Sequence, residues 1–307
     1  MRFTIITACY RGSKHLPHLY ETLKSQHAAG WQFEWILVDD FSNDENQTVS
    51  LIREYAKTSP FPTKAIYFEK NYYGSRSVSE AIKIARGDYV ILLDQDDSLT
   101  SQALSIFSKL IDKYSHTDKF AGVCGRCVDL AGRPIGTPFK WQERLSNDLE
   151  IRHVYKIRGE LFQCTRREII AKYFREAKPG YTNGWAWTRI ARHYQYVYTS
   201  SVVRIYNTTN LESLSNSKKI NHVENVFELY LFYVRNNVDY LRKDLRSYLV
   251  WVVHCIRFAK HSGIDLWTMK GNAEVDLKLL TAILYPIGTY LAKQDCRKGR
   301  VVAGRIK

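Results

Sequence analysis

The feature that most constrains this chain is an alternation of short apolar runs and helical spacings through its first hundred residues. Residues 3–8 form a β-rich apolar run, and Leu16, Leu19, Tyr20 and Leu23 follow at helical spacing. Residues 33–38 read as a second strand, ended by Asp39-Asp40, and Val49, Ile52 and Tyr55 as a second helix stopped before Pro60. Residues 65–68 give a third strand. Val78, Ile82 and Ala85 give a third helix ended at Gly87, and residues 89–93 a fourth strand. Thr100 is placed to cap a helix running to about Lys113. Strand–helix alternation of this kind predicts an α/β fold with a Rossmann-like, mostly parallel central sheet flanked by helices. Ligands bind such sheets at the carboxyl ends of the strands, where strand order reverses. The polar clusters fall there: residues 7–10, Asp39-Asp40 and Asp94-Gln95-Asp96-Asp97.

Further along, residues 121–128 and 197–206 read as strands, and 166–173 and 185–193 as helices. From about residue 220 the pattern is helical, over 221–240, 245–258 and 275–291, with no internal repeat and no low-complexity linker. The expected organisation is a domain over 1–215, in two halves to about 115 and over 116–215, followed by a basic, aromatic helical region over 216–307.

Composition narrows the class. In 307 residues, 45% hydrophobic and 13% aromatic, there is enough apolar material for a large core, which excludes disorder, a collagen-like repeat and a small disulfide scaffold. No apolar stretch approaches a membrane span. The opening residues read as a strand, not a leader, so a cytoplasmic protein with reduced thiols is expected. Six cysteines are scattered, and Cys124-Gly-Arg-Cys127 has no second pair to complete a zinc site. Lys and Arg number 45 against 31 Asp and Glu, a net +14, of which residues 218–307 carry +8. Phosphorylated substrates, an anionic membrane and nucleic acid all suit such a field. No nucleic-acid motif accompanies it, so nucleic acid is not expected as a partner.

Three carboxylates in Asp94-Gln95-Asp96-Asp97 repel one another unless a cation or donor groups neutralise them. Hard oxygen ligands suit Mg²⁺ or Mn²⁺ bridging to a phosphate. The bland alternative is a solvated acidic turn in which Asp97 or Ser98 caps the next helix. Asp39 can accept a hydrogen bond from a uracil imide, or the segment Asp40-Phe-Ser-Asn-Asp44 is simply a helix cap. Thr7-Ala8-Cys9-Tyr10 offers backbone groups and an aromatic face to a base, or is an ordinary strand end.

Together, Thr4-Ile5-Ile6-Thr7-Ala8-Cys9-Tyr10, Trp35-Ile36-Leu37-Val38-Asp39-Asp40, Asn71-Tyr-Tyr-Gly74, Ala85-Arg86-Gly87-Asp88-Tyr89 and Leu93-Asp94-Gln95-Asp96-Asp97 resemble the family 2 glycosyltransferases of the GT-A fold. The resemblance extends less specifically to Arg166-Arg167-Glu168, Trp187-Thr-Arg-Ile-Ala191 and Ser213-Leu214-Ser215. It implies a nucleotide-sugar donor, inversion at the anomeric carbon, and an Mn²⁺ or Mg²⁺ cofactor. Carried onto this chain, Thr7, Ala8 and Tyr10 hold the base, and Asp39 reads uracil. Asp94 and Gln95 lie on the ribose or sugar, and Asp96, with Asp94, takes the metal. Gly74 lets the backbone approach the donor, and Arg76 adds charge near the phosphates or is an exposed helix-start arginine.

One departure matters. Family members commonly place a carboxylate about four residues before the Trp187 position, where it deprotonates the acceptor. Here Asn183 stands, and an amide takes no proton at neutral pH. Glu160, Glu176 and His153 are substitutes. Two readings stay open: a transferase building cell-surface polysaccharide or lipopolysaccharide on a glycan or lipid-linked acceptor, and a catalytically impaired nucleotide-sugar-binding partner of another transferase. The C-terminal region either rests on the inner face of the cell membrane or makes a homodimer contact.

Overall fold

The computed structural model describes residues 2–72, 74–175, 183–209, 222–265 and 275–300. The chain divides into two compact units, one of Met1–Asp148, Ile157–Ala177 and Arg189–Asn210, the other of Leu149–Lys156, Lys178–Thr188 and Leu211–Lys307.

The first unit carries the expected alternation: β1 (Phe3–Cys9), α1 (Leu16–Ala28), β2 (Phe33–Asp39), α2 (Gln47–Thr58), β3 (Thr63–Tyr67), α3 (Ser75–Ile84), β4 (Tyr89–Leu92), β5 (Ser98–Leu99) and α4 (Ala103–Tyr114). Then come β6 (Phe120–Val128), β7 (Glu143–Ser146), β8 (Leu161–Arg166), α6 (Arg167–Phe174) and β9 (Gln195–Ile205); α5 (Asp148–His153), before β8, and α7 (Gly184–Ala191), before β9, fall mostly in the second unit. The strands make one sheet of order β3-β2-β1-β4-β8-β6-β9-β5, with β7 on β9. The expected parallel arrangement holds for β3-β2-β1-β4. Beyond β4 the sheet becomes mixed, because β8 inserts antiparallel between β4 and β6. Thr100 does not cap α4: its hydroxyl donates to the Val202 carbonyl at 3.0 Å, and the helix starts at Ala103.

Strand β2 is buried along its whole length, which its run of apolar residues requires of a central parallel strand. Trp35 at its centre packs in an aromatic layer with Tyr20, Tyr55 and Phe61, the Tyr20 and Tyr55 rings stacked at 4.2 Å. Glu34, one of two buried acids of β2, accepts from the Thr4 hydroxyl at 2.7 Å, from Lys64 at 2.8 Å and from the Arg86 amide. Burial works against its charge, yet these donors hold its carboxyl below the usual glutamate range. Gly87 closes the same corner. A Cβ there would lie 2.5 Å from the backbone of Phe3, so only glycine lets the chain turn into β4 against β1.

The second unit holds α8 (Val223–Asn236), α9 (Val238–Leu241), α10 (Leu245–His261) and α11 (Val275–Arg297). The single helix expected over 221–240 is broken at the fully buried Asn237, whose side-chain amide donates to the Tyr233 carbonyl at 3.2 Å. Asparagine's amide competes with the backbone for such bonds, which is why it interrupts helices. Val234, Leu241, Tyr248, Val252, Ile256 and Leu284 form this unit's core. Beside it Asp295 is buried under Arg257, at 2.6 Å, and His261, at 3.0 Å. Among the described residues no helix is long and apolar enough to cross a membrane.

Candidate functional site

The polar clusters converge because β1, β2 and β4 are parallel neighbours. Cys9 pairs with Asp39, and Leu93 donates its amide to the Ile6 carbonyl at 2.9 Å, so three strand ends share one edge.

At the end of β1, Thr7 is fully buried, and its hydroxyl accepts the Trp35 indole N–H at 3.0 Å. Ala8 is half-buried and Tyr10 exposed. Gln95 reaches across to the backbone of Tyr10, accepting from its N–H and donating to its carbonyl, both at 3.0 Å. This two-point clamp ties the end of β1 to the acidic turn. Gly12 makes room for it, since a Cβ there would lie 2.3 Å from Gln95 Oε1. Arg11, which sequence reasoning did not single out, stands over the Tyr10 ring at 5.3 Å and donates to Asn43 at 2.7 Å.

At the end of β2 the adjacent aspartates have different surroundings. Asp39 is buried and accepts the Ser42 amide at 3.2 Å. Burial raises its carboxyl above the ordinary aspartate range; the Ser42 bonds pull it down, and the charges of Asp44 and Asp40 add to the rise. Asp40 accepts the amides of Tyr72 and Gly74, one on each oxygen, both at 2.7 Å. It thereby holds the loop before α3. The helix cap expected in this stretch is made by Asp44 alone, which accepts from the Thr48 amide and hydroxyl at the start of α2. Gly74 has φ +75° with open space where a Cβ would stand, so its glycine answers to the backbone turn. Arg76 donates to the Tyr72 hydroxyl at 2.7 Å and lies over that ring at 4.6 Å. Asp40→Ala is expected to release this loop and lower stability by roughly 2–3 kcal/mol, the scale of losing charge-assisted hydrogen bonds. Thermal melting of the variant checks it.

At the end of β4 the three carboxylates separate into distinct environments. Asp97 is 1% exposed and accepts from Arg204 Nε at 2.7 Å, from Arg204 Nη2, and from the Asn207 amide at 2.8 Å. Burial pushes its carboxyl up to about 7, against the pull of Arg204, and the charge of Asp94 adds to the rise. Neither Asp97 nor Ser98 caps a helix. Arg204, on β9, also donates to Asp94 Oδ2 at 2.8 Å. Its guanidinium lies between the rings of Phe162 and Tyr206, at 5.0 and 4.7 Å. The cation that neutralises the acidic turn from inside is therefore Arg204. Asp94 keeps a 65% exposed side chain, and Asp96 is half-buried.

This donor set fits a divalent cation. Two carboxylates one residue apart, one of them open to solvent, supply hard oxygens, and Mg²⁺ or Mn²⁺ takes one or two such groups plus substrate phosphates. No group of three or more His, Cys, Asp or Glu arranged to hold a metal occurs among the described residues.

The residues considered for the acceptor side fall in both units. Asn183 is exposed at the turn into α7, its carbonyl accepting the amides of Ala186 and Trp187 at 3.0 and 3.2 Å. Glu160 is exposed in the loop before β8, and its charge bears on the Cys127 thiol together with those of Arg204 and Asp97. His153 is buried against Asp244 at 3.1 Å and Trp251. Glu176 and the 213–215 motif lie outside the described residues.

Known proteins resemble this chain in sequence and in fold. A curated relative, the poly(ribitol-phosphate) beta-N-acetylglucosaminyltransferase TarS of Staphylococcus aureus, is 31% identical over 133 residues, 42% of this chain and 22% of the relative. The chain thus matches about a fifth of that protein's length. The crystal structure of S. aureus TarS 1–349 in complex with UDP-GlcNAc superposes with a TM-score of 0.65 at 16% identity, covering 100% of this chain and 95% of that one. The mannosyltransferase PcManGT of Pyrobaculum calidifontis, in complex with GDP-Man and Mn²⁺, gives 0.56 at 15% identity, covering 96% and 84%. These likenesses show the GT-A fold, a mixed α/β sheet with flanking helices. The family model for glycosyl transferase family 2 matches residues 4–174, more than half of the sequence, and the chain belongs to that family.

Proposed function

We propose that the chain transfers a sugar from a UDP-sugar, with inversion, to a hydroxyl of a cell-surface glycan or polyol-phosphate polymer. The observation that carries this reading is the meeting of Tyr10, buried Asp39 and the Asp94–Asp96 pair at one edge of parallel strands, the arrangement a nucleoside diphosphate needs. The UDP-GlcNAc complex of the S. aureus neighbour supports UDP as the nucleotide and an N-acetylhexosamine as the sugar. A phosphate-rich acceptor suits the net charge of +14 and the poly(ribitol-phosphate) named for the curated relative.

In this reading Tyr10 lies along the base and Asp39 accepts its imide N–H. Asp94 and Asp96 hold the divalent ion, and Arg204 fixes Asp94 in place. A bound ion supplies positive charge to the departing diphosphate. Gln95 keeps the base-binding and phosphate-binding strand ends in register. A thermal-shift panel of nucleotide sugars with Mn²⁺, followed by mass analysis of acceptor polymer after incubation with the stabilising donor, tests the proposal. Stabilisation by UDP-sugars and an added sugar mass support it; no stabilisation by any nucleotide sugar contradicts it.

Asp39 gives a pH dependence. The ionised carboxylate is the better acceptor, and burial has raised its pKa, so acceptor strength is lost on acidification at a pH above the ordinary aspartate value of about 3.9. UDP affinity is expected to fall as pH drops through that window. Asp39→Asn should weaken binding roughly tenfold at neutral pH and flatten this part of the profile. Titrations of UDP across a pH series check both.

The second reading, a nucleotide-sugar-binding partner without turnover, is favoured by the amide at Asn183. Asn183, at the family's base position, and Glu160 are separate candidates for the acceptor side, each tested by its own substitution. Asn183→Asp is then expected to preserve or raise turnover, by up to about 10²-fold if it restores a general base. Glu160→Gln should lower turnover with UDP binding unchanged. Unchanged turnover in Glu160→Gln, or lost turnover in Asn183→Asp, contradicts this assignment.

A further inference from the structure

Helix α11 is apolar on two opposite faces. Its inner face is built into the C-terminal unit: Leu277 and Leu284 lie in the core, and a Cβ on Gly288 would come 2.6 Å from Ile256 of α10. Its outer face carries Leu279, Ile283, Ile287 and Tyr290, which are 60%, 61%, 51% and 58% exposed. Steps of four, four and three residues put these side chains on one stripe, about 17 Å long at 1.5 Å per residue. Continued along the helix, the same stripe reaches the exposed Lys293 and Arg297. Tyr290 stands at the junction of its apolar and basic parts. The helix is held by its inner contacts, so the outer stripe contributes nothing to folding that would account for four large exposed apolar groups.

Charge decides what the stripe meets. On the α11 side chains described, Lys278, Lys293 and Arg297 are exposed, while Asp295 is buried under Arg257 and His261. Among the described side chains of α11 the exposed charges are therefore all basic, which suits an anionic partner. An apolar stripe with a tyrosine at its border and cations beyond matches an acyl boundary below anionic headgroups. We infer that the outer face of α11 is a peripheral docking surface for an anionic lipid bilayer. The inference is independent of the reading of the nucleotide site.

The test is sedimentation of the full chain with vesicles of phosphatidylcholine alone and of phosphatidylcholine and phosphatidylglycerol in equal parts, at low and high salt. The wild type is expected to pellet with the anionic vesicles at low salt, less at high salt, and not with phosphatidylcholine alone. The triple change Leu279→Ser, Ile283→Ser, Ile287→Ser is expected to lower the partition by at least about tenfold. Lys293→Gln and Arg297→Gln should each lower it about fivefold. The conservative set Leu279→Ile, Ile283→Leu, Ile287→Leu should keep it, and all variants are compared at matched thermal melting so that unfolding is not mistaken for lost docking. A wild type that stays in the supernatant with anionic vesicles overturns the inference, as does a triple serine variant that pellets like wild type. A dimer in solution that the serine changes dissociate also overturns it, because a second copy then covers the stripe.

Discussion

Asp96→Ala is expected to cut sugar transfer by about 10²–10³-fold or more, the scale seen when one electrostatic stabiliser of a transition state is removed. In the proposed reaction the leaving group is a nucleoside diphosphate, whose developing charge is greatest in the transition state, so the loss belongs in kcat as well as in donor affinity. The fold should survive. Asp96 is half-buried in a turn whose shape is set by its neighbours: Gln95 clamps Tyr10, and Asp97 is anchored on Arg204. Removing one of three clustered carboxylates also relieves repulsion. Steady-state transfer kinetics beside a thermal melt check the prediction. An Asp96→Ala protein with wild-type turnover removes Asp96 from the donor site.

Arg204→Ala should do the reverse, damaging the fold first. It strips the cation from Asp97, which is 1% exposed, and from one oxygen of Asp94. Breaking one side of a buried ion pair costs about 3–5 kcal/mol, because an uncompensated charge is left in the interior. The melting midpoint is expected to fall by on the order of 10 °C. The double change Arg204→Met with Asp97→Asn removes both charges and should recover much of that loss. Transfer activity should not recover with it, since Asp94 has lost its anchor. Stability recovered without activity separates the positioning role of Arg204 from its packing role.

Much of the first hundred residues can be read from sequence, because apolar runs and helical spacings alternate without interruption and polar clusters punctuate the strand ends. The division of labour inside those clusters cannot. Asp39 and Asp40 are adjacent and chemically identical; only the fold shows that Asp40 is committed to the amides of Tyr72 and Gly74. Asp97 looks like a helix cap in sequence, and its true partner lies 107 residues away on another strand. A strand of mixed composition such as β9 gives no sign that one arginine on it faces an acidic turn. Strand β8 was likewise hidden, since six residues of apolar and polar type run directly into the helix that begins at Arg167. In the C-terminal unit the helical spacing was legible. The break at Asn237 was not, because it depends on a buried side-chain amide bonding back to its own helix.

We propose that the carboxylates at the end of β4 hold a nucleoside diphosphate through a divalent cation. Calorimetric titration of UDP into the full chain with Mn²⁺, and again with EDTA in excess, tests it most directly. Saturable binding with Mn²⁺, abolished by EDTA and by Asp96→Ala, is the predicted result. Binding of equal affinity in EDTA, or none with Mn²⁺, would contradict it.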